Sequence, residues 1–214
     1  MISSQKIVLF LIKTLCRVFM SWEVHGVENV PEEGSLILIA NHVHAMEVIL
    51  LPVVFPRWIN YMAKQELFTY PILSSFIRWA GAFPVIRQGV VADRRDTLSH
   101  ALSILEQGKV LGMFPEGKRS GDGVLLRGKA GPVVLANEAG VQLIPAAVTG
   151  LDKLYGIREL LKRPHVVIKI GKPFMLPTVK HRLKRSEMKL LTEQMMMKIA
   201  VMLPEDKRGV YGSS

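Results

Sequence analysis

The sequence predicts an α/β domain, in which short apolar runs closed by polar turns alternate with stretches of helical periodicity. Three segments carry that prediction. Leu36 to Ala40 is continuously apolar and stops at Asn41-His42, the pattern of a buried strand entering a polar loop. Between Asp93 and Gln107, Leu98, Ala101, Leu102 and Leu105 recur at three-four spacing, and Gly108 follows as a stop, so this is the clearest helix. Val110 to Phe114 is then a further buried strand, running into Pro115-Glu116-Gly117.

The remaining elements follow in chain order. Residues 1–20 hold the apolar run Ile7 to Ile12, which Lys13 and Arg17 interrupt before it is long enough to span a bilayer, and no signal-peptide cleavage site follows. Lys6, Lys13 and Arg17 are spaced by seven and four, a single basic stripe on an otherwise apolar helix. Such a helix suits the bilayer interface, although packing on its own domain explains the pattern too. Residues 21–214 form the second unit of this reading. Ser35 to Pro56 is apolar on average, yet Asn41, His42, His44, Glu47 and Pro52 make it a strand, a polar turn and a helix rather than a span. That helix runs from Met46 to Leu51 and ends near Pro52. Ile59 to Met62, Gly81 to Ile86, Val141 to Val148 and Val166 to Ile170 read as strands. Pro132 to Ala139, stopped by Gly140, and Glu187 to Leu203, stopped by Pro204, read as helices.

Composition narrows the partners. The chain has 214 residues, enough to bury a sizeable core, and 49% of them are hydrophobic against 21% charged, which excludes a disordered chain. Mean hydropathy is +0.26, high for a freely soluble protein. Net charge is +10, so the surface attracts polyanions. From Arg158 to Lys189 there are ten Lys or Arg against two acids, either a solvated surface or a patch near anionic lipid, where each cation contributes about 1 kcal/mol. No helix-turn-helix, RNP-type or zinc-finger signature supports a nucleic acid partner. Cys16 is the only cysteine, which rules out an intrachain disulfide and a cysteine metal cage.

Chemistry concentrates in two polar turns. Asn41-His42-Val43-His44-Ala45-Met46-Glu47 sets two imidazoles and a carboxylate just after a buried strand. A neutral imidazole is a base near pH 7, and a carboxylate on its other nitrogen fixes the tautomer. His42 and Glu47 lie about 140° apart on a regular helix, so they meet only if His42 sits in the loop, whereas His44 and Glu47 meet on a helix directly. Residue physics leaves the choice between the histidines open. A metal reading competes through His-x-His-x-x-Glu, but Val48 follows, and His100, His165 and His181 form no ligand-like cluster. In Phe114 to Gly121, a strand end followed by Gly117, Lys118, Arg119 and Ser120 can offer backbone N–H groups and positive charge to a phosphate. A polar surface turn accounts for the same residues. Arg87, closing Gly81 to Ile86, and Lys129, in Arg127-Gly128-Lys129-Ala130-Gly131, mean little alone.

Taken in order, these segments resemble the glycerophosphate and lysophosphatidic acid acyltransferase family. Its pattern of Asn-His-x4-Asp, Gly-x-Phe-Pro-x-x-Arg, Phe-Pro-Glu-Gly-Thr-Arg-Ser and an apolar strand holding Pro is matched by Asn41-His42…Glu47, Gly81 to Arg87, Phe114 to Ser120 and Val141 to Val148 with Pro145. The tail from Leu203 to Tyr211 is similar too, so the resemblance covers about residues 20 to 211. It implies one domain with a mixed central sheet flanked by helices, behind an N-terminal interfacial helix. It assigns the base to His42, oriented by Glu47, taking a proton from an acceptor hydroxyl that attacks an acyl thioester of coenzyme A or acyl carrier protein, with no metal and no cofactor. Asn41, Arg87, Glu116, Gly117, Lys118, Arg119, Ser120 and Lys129 would serve the glycerophosphate, and Pro145 would shape the acyl or acceptor pocket. The implied acceptor is 1-acylglycerol 3-phosphate and the product phosphatidic acid, made at the cytoplasmic face by a peripheral protein on an anionic membrane. Other lysophospholipid or acylated sugar acceptors, and a non-catalytic lipid-binding protein of this fold, are the alternatives. Two positions depart from the pattern: Glu47 stands where Asp is usual, and Lys118 where Thr is usual.

Overall fold

Every residue of β2 (Leu36–Ala40) is buried, because this strand lies inside the sheet with parallel neighbours on both sides. The computed structural model describes residues 3–85, 91–154, 156–177, 179, 181 and 183–212. Among them seven strands make one sheet, which adds to β2 the strands β1 (Ser21–His25), β3 (Ile59–Lys64), β4 (Phe83–Val85), β5 (Val110–Met113), β6 (Gln142–Thr149) and β7 (His165–Ile170). Their order is β1-β7-β6-β2-β5-β3-β4, parallel throughout except for the antiparallel joint between β6 and β7. The sheet is therefore mixed, as the resemblance implied.

Two helical layers cover it. One core joins α1 (Ser3–Phe19) and α2 (Glu47–Val54) to one face of the sheet through Cys16, Met20, Leu50, Leu51 and Phe55. The other core packs α4 (Val91–Glu106), α5 (Gly131–Ala139) and α7 (Arg185–Ala200) on the opposite face, around Leu105, Val133, Met195, Met196 and Ile199. Two short helices complete the set, α3 (Pro71–Trp79) and α6 (Ile157–Leu161). A parallel crossover is right-handed, so a helix's side of the sheet follows from the direction of its step. β2–α2–β3 and β3–α3–β4 both step toward the β4 edge, which places α3 on the α1–α2 side, whereas β4–α4–β5 steps back.

The structure extends the sequence reading in several places. β1, α3 and α6 were not foreseen. β1 pairs with β7 at the sheet edge and alternates exposed and half-buried residues, without the apolar run that marks a buried strand. α2 does not end at Pro52 but continues to Val54. Its proline lies in the second turn, where little of the hydrogen-bond ladder precedes it, and Phe55 N–H still reaches the Leu51 carbonyl at 2.8 Å. The strand expected over Gly81 to Ile86 is Phe83–Val85, while Gly81 occupies a turn at φ +83° and Ile86 lies outside the described residues. The last helix begins and ends earlier than Glu187 to Leu203, at Arg185–Ala200.

Candidate active site

The parallel strands β2, β5 and β3 end at one edge of the sheet, and the loops that follow them meet there. Open parallel sheets place their ligand sites at this carboxyl edge. Asn41 leaves β2 first. Its buried side chain is fully engaged by the neighbouring strand: Nδ2 donates to the Val148 carbonyl and Oδ1 accepts the Val148 N–H, both at 2.8 Å. The sequence reading gave Asn41 to the substrate, whereas its amide here holds the start of the catalytic-type loop against β6.

His42 follows in the loop, and Glu47 opens α2, so the chain turns once between them. His42 Nδ1 and Glu47 Oε2 are 2.8 Å apart. The second carboxylate oxygen accepts the N–H groups of Val43 at 2.8 Å and His44 at 3.0 Å. Glu47 is 0% exposed, and these three contacts satisfy a carboxylate that burial would otherwise leave costly. Acceptor-only Glu47 makes His42 Nδ1 the donor and leaves Nε2 as the ring nitrogen able to take a proton. The loop geometry thus brings the ring of His42, not that of His44, to the carboxylate. The His44 ring instead accepts the Met46 N–H at 3.2 Å, and burial, with the nearby charges of Arg119 and His42, lowers its pKa against the pull of Glu47. Among the described residues no three His, Cys, Asp or Glu side chains converge as a metal-ligand set.

The turn after β5 closes over this pair. Phe114 stacks on the His42 ring, with centroids 4.1 Å apart and planes inclined by 21°, and the Tyr61 ring lies parallel beyond it at 5.9 Å. Glu116, 2% exposed, spends both oxygens on backbone: Oε1 accepts the His42 N–H at 2.6 Å and Oε2 the Leu126 N–H at 2.8 Å. Burial raises its pKa to about 7, even though both hydrogen bonds favour the carboxylate. The Ser120 N–H donates to the His42 carbonyl at 2.8 Å, while its buried hydroxyl finds no partner among the described residues. The peptide of His42 is therefore held on both sides by the segment 116–120.

Gly117 has φ +70°, a conformation glycine adopts without strain, and a Cβ there would stand 2.6 Å from Lys129 Nζ. Lys129 is thereby brought onto the turn, fixed also by its N–H to the Pro115 carbonyl at 2.8 Å. Lys118 and Arg119 are exposed beside it. Three cations and a glycine turn thus gather at the His42 edge. Pro145 lies buried within β6, opposite Ile39 of β2 and against Gly171, so it belongs to the sheet rather than to the loop cluster. Arg87 lies outside the described residues. The sequence reading did not single out Tyr61 as a site neighbour or Phe114 as a ring partner of His42. A lone aromatic in an apolar strand gives no sign of what it will face.

A histidine–carboxylate pair at the carboxyl edge of parallel strands, beside a cation-rich glycine turn, sets a general base next to a place for an anion. The family model described as Acyltransferase matches residues 21–149, and the chain belongs to that family. It is 30% identical over 178 residues to the 1-acyl-sn-glycerol-3-phosphate acyltransferase of Bacillus subtilis (strain 168), covering 83% of this chain and 85% of that one. The protein of the same name from Streptococcus pneumoniae is 28% identical over 172 residues, covering 76% and 61% respectively. The crystal structure of the 1-acyl-sn-glycerophosphate (LPA) acyltransferase, PlsC, from Thermotoga maritima superposes with a TM-score of 0.66 at 26% identity. That match covers 89% of this chain and 77% of the other.

Proposed function

We propose that this enzyme moves a fatty acyl group from coenzyme A or acyl carrier protein to the sn-2 hydroxyl of 1-acylglycerol 3-phosphate, giving phosphatidic acid. The observation that carries this reading is the 2.8 Å contact between His42 Nδ1 and Glu47, which turns Nε2 into a base. The acceptor is the one in the relatives' names, and acylating its free sn-2 hydroxyl gives phosphatidic acid. His42 Nε2 takes the hydroxyl proton as the oxygen attacks the thioester carbonyl, and Glu47 stabilises the imidazolium that forms. The tetrahedral intermediate collapses by breaking its C–S bond, and the proton on His42 returns to the departing sulfur. A thiol of pKa about 8.5 leaves with little further help. Lys118, Arg119 and Lys129 hold the phosphate, joined by Arg87. Glu116 and Asn41 act as positioning residues, since their polar atoms are spent on backbone. Ser120 and Gly117 shape the turn, and Pro145 lies behind it.

The membrane belongs to this proposal. No helix among the described residues is long and apolar enough to cross a bilayer. α1 buries Cys16 but leaves Ile7, Phe10, Leu11, Leu15 and Val18 exposed, with Lys6 and Arg17 also at the surface. We place that face on anionic lipid, as a peripheral anchor on the cytoplasmic side.

Thiol release by the purified protein tests the activity across a panel of lysophospholipid headgroups, with both thioester donors. Turnover is expected only when an acceptor is present, and fastest with the phosphate monoester headgroup. His42→Ala lowers the rate by at least about a thousandfold and Glu47→Gln by roughly a hundredfold. Full turnover in His42→Ala would refute the assigned base, and faster turnover with a choline headgroup would refute the acceptor.

A further inference from the structure

The helix α3 was not foreseen in the sequence, and it packs poorly. None of its described side chains is buried, and it carries Ile72 at 89% exposure, Phe76 at 50% and Trp79 at 37%. The 3-10 turn that leads into it, Gln65–Thr69, exposes Leu67, and Tyr70 between the two is 64% exposed. Five large apolar side chains thus face solvent within thirteen residues, a concentration that single scattered surface residues do not produce. Tyr70 and Trp79 are among them, the aromatic types favoured at a membrane–water boundary.

Charge and position indicate what covers this surface. From Leu67 to Val85 the one charged residue is a cation, Arg78, which lies 4.9 Å over the Phe68 ring. α3 is on the α1–α2 side of the sheet, and residues 1–20 carry Lys6, Lys13 and Arg17 with no acid. Between them α2 exposes Val48 and Ile49, next to Glu47. The turn before α3 also leaves β3 only a few residues beyond Tyr61, whose ring parallels Phe114 at the His42 edge. Apart from Glu66, which pairs with Lys64 at 3.0 Å, the charged residues of segments 1–20 and 65–79 are cations, a balance that complements an anionic bilayer. Two copies of a chain with net charge +10 repel each other across the same surface.

We propose that the segment from Leu67 to Trp79 is a second bilayer-contacting element. Together with α1 it seats the protein at two points, so that the His42 edge faces lipid. The consequence for turnover rests on the lipid-acceptor reading above, whereas the contact with the bilayer does not.

The test compares the full chain with Ile72→Ser/Phe76→Ser and Ile72→Asp/Phe76→Asp, each checked for unchanged thermal melting. Sedimentation with phosphatidylglycerol–phosphatidylcholine vesicles is expected to show partitioning weaker by about tenfold or more in both variants, from the loss of two buried apolar side chains. Thiol release with a short-chain, monomerically soluble acceptor stays at the wild-type rate, while release with vesicle-embedded acceptor falls. In a Trp22→Phe/Trp58→Phe background, Trp79 emission is quenched by brominated lipid. Unchanged partitioning of both variants overturns the proposal, as does absence of Trp79 quenching. A wild-type dimer converted to monomer by the variants, with partitioning intact, overturns it in favour of a second copy. Loss of thiol release in every form, wild type included, would strike the proposed function and leave the vesicle result standing.

Discussion

Glu116 shows how much of a side chain's setting is invisible in the sequence. The resemblance placed it among the groups that hold the glycerophosphate, and in the fold its two oxygens accept the N–H groups of His42 and Leu126. Its pKa lies above the usual 4.5, at about 7, so the fold disfavours the charged form. The stabilising contribution of the neutral form is complete below pH 4.5 and is lost as pH rises to about 7. Melting temperatures of wild type and Glu116→Gln should therefore diverge over that window. Wild type loses stability relative to the variant as pH rises, by up to a few kcal/mol, and the difference is constant above it. A difference that does not vary with pH would refute the perturbed carboxyl. Asn41 gives a second case. Asn41→Ala strands the N–H and carbonyl of Val148 and should cost about 2–3 kcal/mol in denaturant unfolding. The identity of both residues was legible in the motifs. Their partners, Val148 and Leu126, were not, because backbone acceptors and donors leave no mark on composition.

The elements that sequence revealed are those with one-sided or fully buried patterns. β2, β5 and α4 are legible for that reason, since a buried run or a three-four spacing records the packing that produces it. β1 lies at the sheet edge and alternates exposed and half-buried residues, so it holds no buried run, and α3 is only nine residues long, too short for its periodicity to stand out. The turn from Pro115 to Ser120 sits between these extremes. Its glycine was evident, and the reason for it emerges only in three dimensions, where Gly117 is left-handed and meets Lys129. Gly117→Ala adds strain of about 1 kcal/mol and displaces the Lys129 ammonium. The expected signature is a several-fold rise in acceptor KM with a smaller change in kcat, read by initial rates. A change confined to kcat would separate Lys129 from phosphate binding.

Across the molecule, the two faces of the sheet differ in what they leave uncovered. The α4–α5–α7 layer exposes Leu190 among its described helical residues, whereas the α1–α2–α3 layer shows many apolar side chains outward, with Phe10 at 67% exposure. In α1, Cys16 packs inward while Phe10 and Leu15 face out. Phe10→Ser/Leu15→Ser should reduce vesicle partitioning without altering the melting temperature, whereas Cys16→Asp should lower it sharply by burying an unpaired charge. A fall in stability for the outward pair would place that face on the protein instead. The sheet order, with its single antiparallel joint, was beyond sequence reasoning, because strand neighbours are set by packing between distant segments.

The peptide of His42 also has a history in time. It is held by Glu116, seventy-four positions away, while its neighbour Asn41 is held by Val148, one hundred and seven positions away. Such contacts close large loops, and loops of that span form late in folding. During refolding, helical signal should return before turnover does, since the His42 loop is anchored only once the chain has threaded β5 and β6 to either side of β2. A nascent chain that has emerged only as far as α4 carries His42 and Glu47 but lacks the partners that hold their loop, Glu116 and Val148, so the proposed activity is expected only of the finished molecule.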